Sequence, residues 1–284
     1  MRFLSGRAVK LTHTFLDDES PMTVPAVSVT VRDASGRTVY TGAATSSGDE
    51  WAVTLPAQPE GVYTVDWTAA GLAVDRETFE VVGGFLFTLP EARASDMDLE
   101  DSARFPTAEL KHYREVVEDE FERITGRSFV PRTVRVGVLG DGTASVFLGY
   151  FDVTALKAVE GPSGAVTGPS GAVDLAGWSV DPTGFLRAPY ELEDGATYWV
   201  TFTYGFAQVP EDAKRAGLLR LRSVLTAERS GIPDRATAFV AAEGGNFTLA
   251  TPGRNGYETG IPEVDAVLKR YKYGIFYDVF GVAR

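Results

Sequence analysis

Pro106-Thr-Ala-Glu-Leu-Lys-His-Tyr-Arg-Glu-Val-Val-Glu-Asp-Glu-Phe-Glu-Arg-Ile-Thr-Gly126 is where the hydrophobic period of the chain changes, and with it the architecture. Leu110, Tyr113, Val117, Phe121 and Ile124 recur at steps of three and four, which places them on one face of a helix. Proline suits a first turn and glycine a left-handed stop, so the spacing predicts a helix from Pro106 to Gly126. Lys111, Glu115, Glu118, Asp119 and Glu122 fall on the opposite face, which predicts a helix on the surface of a bundle or ring subunit.

Everything upstream of about residue 84 has a period of two instead. Val27, Val29 and Val31 alternate with Ser28, Thr30 and Arg32, and Tyr63, Val65 and Trp67 alternate with Thr64, Asp66 and Thr68. Phe79 and Val81 continue the pattern, and Asp33-Ala-Ser-Gly36 can turn the chain so that Thr38-Val-Tyr40 pairs back. Short strands with glycine and proline punctuation predict an immunoglobulin-like β-sandwich over 1–84, without the disulfide of that fold because the chain has no cysteine.

Downstream, Thr88-Leu-Pro-Glu91 matches a capping box and predicts a short helix at about 89–95. Residues 133–206 return to β character in Val134–Leu139, Ser145–Leu148 and Tyr198–Tyr204, with Gly140-Asp-Gly142 as a turn. Within them Gly161-Pro-Ser-Gly-Ala-Val166 recurs as Gly168-Pro-Ser-Gly-Ala-Val173, too few copies for a solenoid. A third helix is expected from Pro210 through Leu218, Leu221 and Leu225 to a stop near Gly231. A hairpin of Phe239-Val and Phe247-Thr-Leu249 about Gly244-Gly245 follows. Pro262 opens a last helix with Val264, Val267, Leu268 and Tyr271 on one face. The class expected is α+β: a sandwich over 1–84, then a helical domain over 85–284 that carries a β-rich insertion at about 133–209 and a tail at about 272–284.

Composition excludes several functions. A formal net charge of −12 argues against a sequence-independent nucleic-acid binder, which needs positive surface to displace counterions. Only the last quarter, 210–284, has more basic than acidic residues, and such asymmetry favours complementary docking. No apolar run reaches the roughly 18 residues of a membrane span, the start lacks a signal-peptide core, and the absence of cysteine fits a reducing cytoplasm. His13 and His112 are the only histidines and sit in a predicted strand and on an outer helix face. Gly137, Gly140 and Gly142 open no phosphate-binding helix, and Ser163 and Ser170 lack the spacing of a nucleophile elbow. Asp96, Asp98 and Glu100 begin like a calcium loop, but Asp101 and Thr107 stand where glycine and glutamate are needed. No catalytic residue, metal or cofactor is expected, and the chain is read as a non-enzyme.

Three segments carry a resemblance: Phe87-Thr-Leu-Pro-Glu-Ala-Arg, Leu99-Glu-Asp-Ser-Ala-Arg-Phe-Pro-Thr-Ala-Glu-Leu110 and Glu118-Asp-Glu-Phe-Glu-Arg-Ile-Thr-Gly-Arg-Ser-Phe-Val-Pro-Arg132. Together they resemble the head-to-tail adaptor (connector) proteins of long-tailed double-stranded DNA phages. Leu249-Ala-Thr-Pro-Gly-Arg-Asn-Gly and Gly260-Ile-Pro-Glu-Val-Asp-Ala-Val-Leu-Lys-Arg-Tyr271 are similar to the C-terminal part of the same family. The resemblance covers roughly 85–132 and 210–284. It implies a virion neck protein, assembled in the host cytoplasm, that forms a ring of usually twelve copies beneath the portal. Its partners would be its own copies, the portal protein and a stopper or tail-terminator protein. Genomic DNA would pass through the channel without sequence-specific contact, and no membrane is involved.

The aromatic C-terminus then becomes the expected portal anchor, with Tyr271, Tyr273, Ile275, Phe276, Tyr277, Val279, Phe280 and Arg284 as docking residues. Ile275, Phe276, Val279 and Phe280 also fit a terminal helix packed on its own subunit, so self-packing stands as the alternative. A second functional reading is a carbohydrate- or protein-binding surface module built on the immunoglobulin-like domain.

Overall fold

A computed structural model describes residues 1–70, 73–165, 174–227, 238–240, 246–248 and 258–272. Two compact units emerge, one of 1–84 with 131–205 and one of 85–130 with 206–284. The fold is α+β, with an N-terminal β-sandwich, as the sequence predicts.

The sandwich strands are β1 (Arg2–Leu4), β2 (Val9–His13), β3 (Leu16–Asp17), β4 (Ser20–Pro21), β5 (Val27–Asp33), β6 (Thr38–Ala43), β7 (Thr45–Ser47), β8 (Glu50–Leu55), β9 (Gly61–Ala69) and β10 (Ala73–Val82). One sheet runs β1-β10-β9-β5-β6, the other β2-β8-β7, and β3 and β4 pair with each other. Val27, Val29, Val31, Tyr63, Val65, Trp67, Phe79 and Val81 of the first sheet share a core with Val9, Leu11, Trp51, Val53 and Leu55 of the second. The alternation seen in the sequence is therefore the inward face of two stacked sheets. The Asp33–Gly36 turn forms as expected: Asp33 Oδ1 accepts the N–H groups of Ser35 and Arg37.

Seven more strands belong to the same unit: β11 (Arg132–Leu139), β12 (Ser145–Phe147), β13 (Val153–Gly161), β14 (Gly164–Ala165), β15 (Ser179–Val180), β16 (Phe185–Arg187) and β17 (Thr197–Tyr204). They make a sheet β11-β17-β13-β14 and a sheet β12-β16-β15 around Val159, Leu186, Val200 and Phe202. Gly140 to Gly142 carries the chain from the first of these sheets to the second, its N–H groups held by Ala196 and Leu192 carbonyls. This segment interrupts the helical residues in sequence as expected, yet its contacts group it with the sandwich rather than with the helices. The link is ionic: Glu80 on β10 pairs with Arg2 at 3.1 Å and with Arg132 at 2.7 Å, all three nearly buried. The N–H of Gly83 also donates to the carbonyl of Pro131.

The helical unit holds α1 (Leu89–Ser95), α2 (Thr107–Thr125), α3 (Glu211–Ala227) and α4 (Pro262–Tyr271). The capping box is present, with Thr88 Oγ1 accepting from Glu91 N and the Glu91 carboxylate accepting from Thr88 N. Gly126 ends α2 in the left-handed region at φ 70°, its N–H on the Glu122 carbonyl. α3 is described to Ala227, so the expected stop near Gly231 lies outside the described residues. Within 228–257 only β18 (Ala238–Val240) and β19 (Asn246–Thr248) are described, paired antiparallel with Phe239 opposite Phe247, the predicted hairpin.

Candidate docking surface

The helical core that would carry the tail is assembled as its periodicity requires. Leu110, Val117, Phe121, Leu221, Leu225, Val264 and Leu268 are buried, and Ile124 nearly so; Tyr113, Leu218 and Val267 pack against them half-buried. Glu118 departs from the outer face expected of it. It is buried, and its carboxylate accepts the Leu86 N–H at 2.8 Å, fixing the segment that enters α1. Arg114 is buried too, its guanidinium 3.3 Å from the centroid of the Phe85 ring. A helical wheel assigns such charges to water; the path of residues 85–88 brings Glu118 the Leu86 N–H and Arg114 the Phe85 ring.

α4 is held at both ends. Arg220 grips Glu120 through two bonds of 2.7 and 2.9 Å and donates to the Thr259 carbonyl. Thr259 donates its N–H and hydroxyl to Asp265 Oδ1, closing the turn before Pro262. At the far end, Tyr271 lies edge-on to Phe129 at 5.2 Å and to Phe206 at 5.8 Å. Its hydroxyl donates to Asp212 Oδ1 at 2.7 Å, and Arg270 pairs with the other Asp212 oxygen at 2.9 Å. Burial raises the Tyr271 pKa above the usual phenol value, and the Asp212 carboxylate raises it further, so the hydroxyl stays a donor.

Tyr271 was expected among the docking residues, and the structure gives it an internal role: it ties the last turn of α4 to α3 and to the Phe129–Phe206 stack. Tyr273, Ile275, Phe276, Tyr277, Val279, Phe280 and Arg284 lie outside the described residues. Phe129, Phe206 and Asp212 are the contacts that sequence periodicity missed. Phe129 and Phe206 lie outside the helices, where spacing carries no signal, and Asp212 reads only as a first-turn acid.

Elsewhere, charged side chains engage one another. Asp96 caps the Asp98 N–H and pairs with Arg222 at 2.7 Å, and Asp101 accepts from Ala103 and Arg104, which uses the acidic run as turn and cap chemistry. Among the described residues no group of three or more His, Asp or Glu could hold a metal. His13 bridges Glu77 and Asp75 and stacks on Trp67, while His112 is exposed beside Tyr113. A cleft of about 470 Å³ within the β unit is lined by Asp33, Arg37, Glu60, Arg135 and Glu160. Its charges meet locally: Asp33 with Arg37, Glu60 with Thr133, and Arg135 with Glu160 and with the Trp199 ring. Burial works to raise the Asp33 pKa, but hydrogen bonds from Ser35 and Arg37 outweigh it and hold the group below the usual carboxylate value.

Among known proteins, a family model described as the CopC domain matches residues 8–89. No curated protein matches the chain. A solved structure entitled "Neck of empty GTA particle computed with C6 symmetry" contains a chain 18% identical, with a TM-score of 0.40, over 66% of this chain and 89% of that one. Trypsin-activated alpha-2-macroglobulin from Escherichia coli is 11% identical with a TM-score of 0.28, over 71% of this chain and 13% of its own. Salmonella alpha-2-macroglobulin reacted with methylamine is 12% identical with a TM-score of 0.26, over 72% and 12%. The family match thus falls on the sandwich and the first residues of the helical unit, and leaves the rest of that unit outside it.

Proposed function

We propose that the chain is a structural, non-enzymatic neck protein of a phage-like virion: a head-to-tail adaptor whose helical unit forms a ring beneath the portal. Twelve copies is the number the adaptor resemblance implies. One observation carries the reading. The two sequence blocks that resemble head-to-tail adaptors, 85–132 and 210–284, are separated by more than 70 residues, and all but the last two residues of the first come together in one helical unit with a shared core. Their convergence is what a common adaptor core, interrupted by an inserted β segment, would require. A cyclic ring joins two different faces of each subunit, and the acidic α2 with a basic C-terminal quarter supplies candidates of opposite sign.

In this reading the tail beyond Tyr271 docks on the portal and the opposite end receives the stopper or tail-terminator protein, with DNA passing through an acidic channel that does not hold it. The test is deletion of 272–284 in the assembling particle. Heads should fill and then fail to retain a tail or the truncated subunit. Complete particles at the normal yield would sink the assignment of the tail, and a purified full chain that neither forms a ring nor binds portal would sink the adaptor reading itself.

A further inference from the structure

The sandwich ends on one side in a strand with no guard. Among the described residues β6 is the last strand of its sheet and pairs only with β5. At Ala44 the chain crosses to the other sheet, where β7 is again the last strand, so the run Thr38–Ser47 edges both sheets. Thr38-Val-Tyr-Thr-Gly-Ala-Ala-Thr-Ser-Ser47 contains no charge and no proline, whereas exposed edges are normally blunted by lysine, proline or brevity. Other edges of this unit are guarded in those ways: β1 has three residues and an arginine, β2 has the exposed Lys10, β11 has Arg132 and Arg135, and β14 has two residues. The bulge in β6 falls at Val39 and leaves Tyr40 to Ala43 in regular register.

The direction of the free backbone groups follows from one bond. Ala44 N donates to Val27 O, which makes the Ser28–Ala43 position a non-hydrogen-bonded pair. Alternation then points the N–H and carbonyl of Ala43 and of Thr41 away from β5, while Gly42 and Tyr40 bond to it. The Tyr40 ring lies over Gly42, filling the space a side chain would take and closing the core at this edge.

We infer that β6 is an interaction surface for a second copy of this chain, pairing antiparallel with its own counterpart. Copies that each carry a net charge of −12 repel, and like charges opposite one another destabilise a strand pair. Close backbone approach between copies is therefore favoured where neither brings a charge, and Thr38–Ser47 is such a strip. A two-fold axis at Gly42 brings Thr41 of each copy opposite Ala43 of the other, so the outward groups of both residues exchange both bonds. This contact is separate from the ring contacts of the helical unit.

The test uses the full chain and two readouts, sedimentation against concentration and amide exchange at Thr41 and Ala43. Both amides should slow as the wild type associates. Thr41→Pro removes an outward donor and Ala43→Lys sets like charges across the pair; each should weaken association by at least about ten-fold, the equivalent of one or two hydrogen bonds. An unchanged melting temperature in Ala43→Lys shows that the sandwich is intact. Association with Ala43→Lys equal to wild type, or exchange at the two amides that ignores concentration, overturns the inference. Rings that persist in either case leave the adaptor reading standing.

Discussion

Both units have apolar cores, but they join their separate stretches of chain by different contacts. At the centre of the helical unit, Phe121, Phe129, Phe206 and Tyr271 stack edge-on and face-on, while the buried Glu118 and Arg114 and the Glu120–Arg220 pair lie within the helices around them. The β unit instead joins its two halves through ions: Glu80 between Arg2 and Arg132, with Asp66 between Arg76 and Arg32 on the same sheet. An aromatic centre is stabilised by the area it removes from water and is sensitive to voids. An ionic centre contributes less than its contacts suggest, because desolvation offsets attraction, but it is sensitive to the loss of one partner.

Phe121→Ala is the severest way to break the aromatic side. The ring is fully buried and 6.0 Å from Phe129, so its loss should cost about 3–5 kcal/mol, read as a lower urea midpoint for the helical signal. A cost below about 1 kcal/mol would mean the core closes over the gap. Glu80→Ala tests the ionic side. It leaves Arg2 and Arg132 buried without their shared partner and should cost about 3 kcal/mol. Glu80→Gln should cost less, since its amide oxygen still accepts from one guanidinium; equal losses would show that packing rather than charge is at stake. Gly217→Ala probes fit in α3. Its Cβ would stand 2.6 Å from Leu86 Cδ2 and 3.2 Å from the Phe87 ring. Overpacking of about 1–3 kcal/mol should exceed the roughly 1 kcal/mol that alanine gains in a helix. A variant with a higher melting temperature would show that Leu86 gives way.

The contrast also explains what could be read from the sequence. Period made the strands β5, β9 and β10 and the helices α2, α3 and α4 legible, because Val29, Val31 and Val65, or Leu110, Val117 and Phe121, are repeated samples of one buried face. The capping box marked α1, and the strands of the second sheet, with Trp51, Val53 and Leu55, were not among those read from period. Glu118 and Arg114, buried, and Glu80 and Arg132, nearly so, broke the rule that charges face water, since each meets a partner remote in sequence. The grouping of 131–205 with the sandwich was hidden for the same reason: Glu80 to Arg132 and Gly83 to Pro131 are single contacts with no periodic signature. Tyr271 read both ways, as the end of the apolar face of the last helix and as the first residue of the docking tail, and Phe129, Phe206 and Asp212, from two other segments, are the contacts that period could not name.

The smallest effect lies where the helical unit itself uses charge. Thr88→Ala removes half of the capping box at the entry to α1 and should cost about 1 kcal/mol. Glu91 accepts the Thr88 N–H and hydroxyl and pairs with Lys214 at 3.2 Å, and these donors hold its pKa below the usual glutamate value. A carboxylate with a depressed pKa in the folded state contributes stability that is fully present above its unfolded pKa of about 4.3 and is lost as pH falls through the folded value. Glu91→Gln should therefore differ from wild type at pH 7 and converge with it below about pH 4. Glu91 is partly exposed and screened, so the difference is expected to be smaller than that of Thr88→Ala. A pH-independent gap between Glu91→Gln and wild type would assign the effect to the geometry of the box instead of its charge.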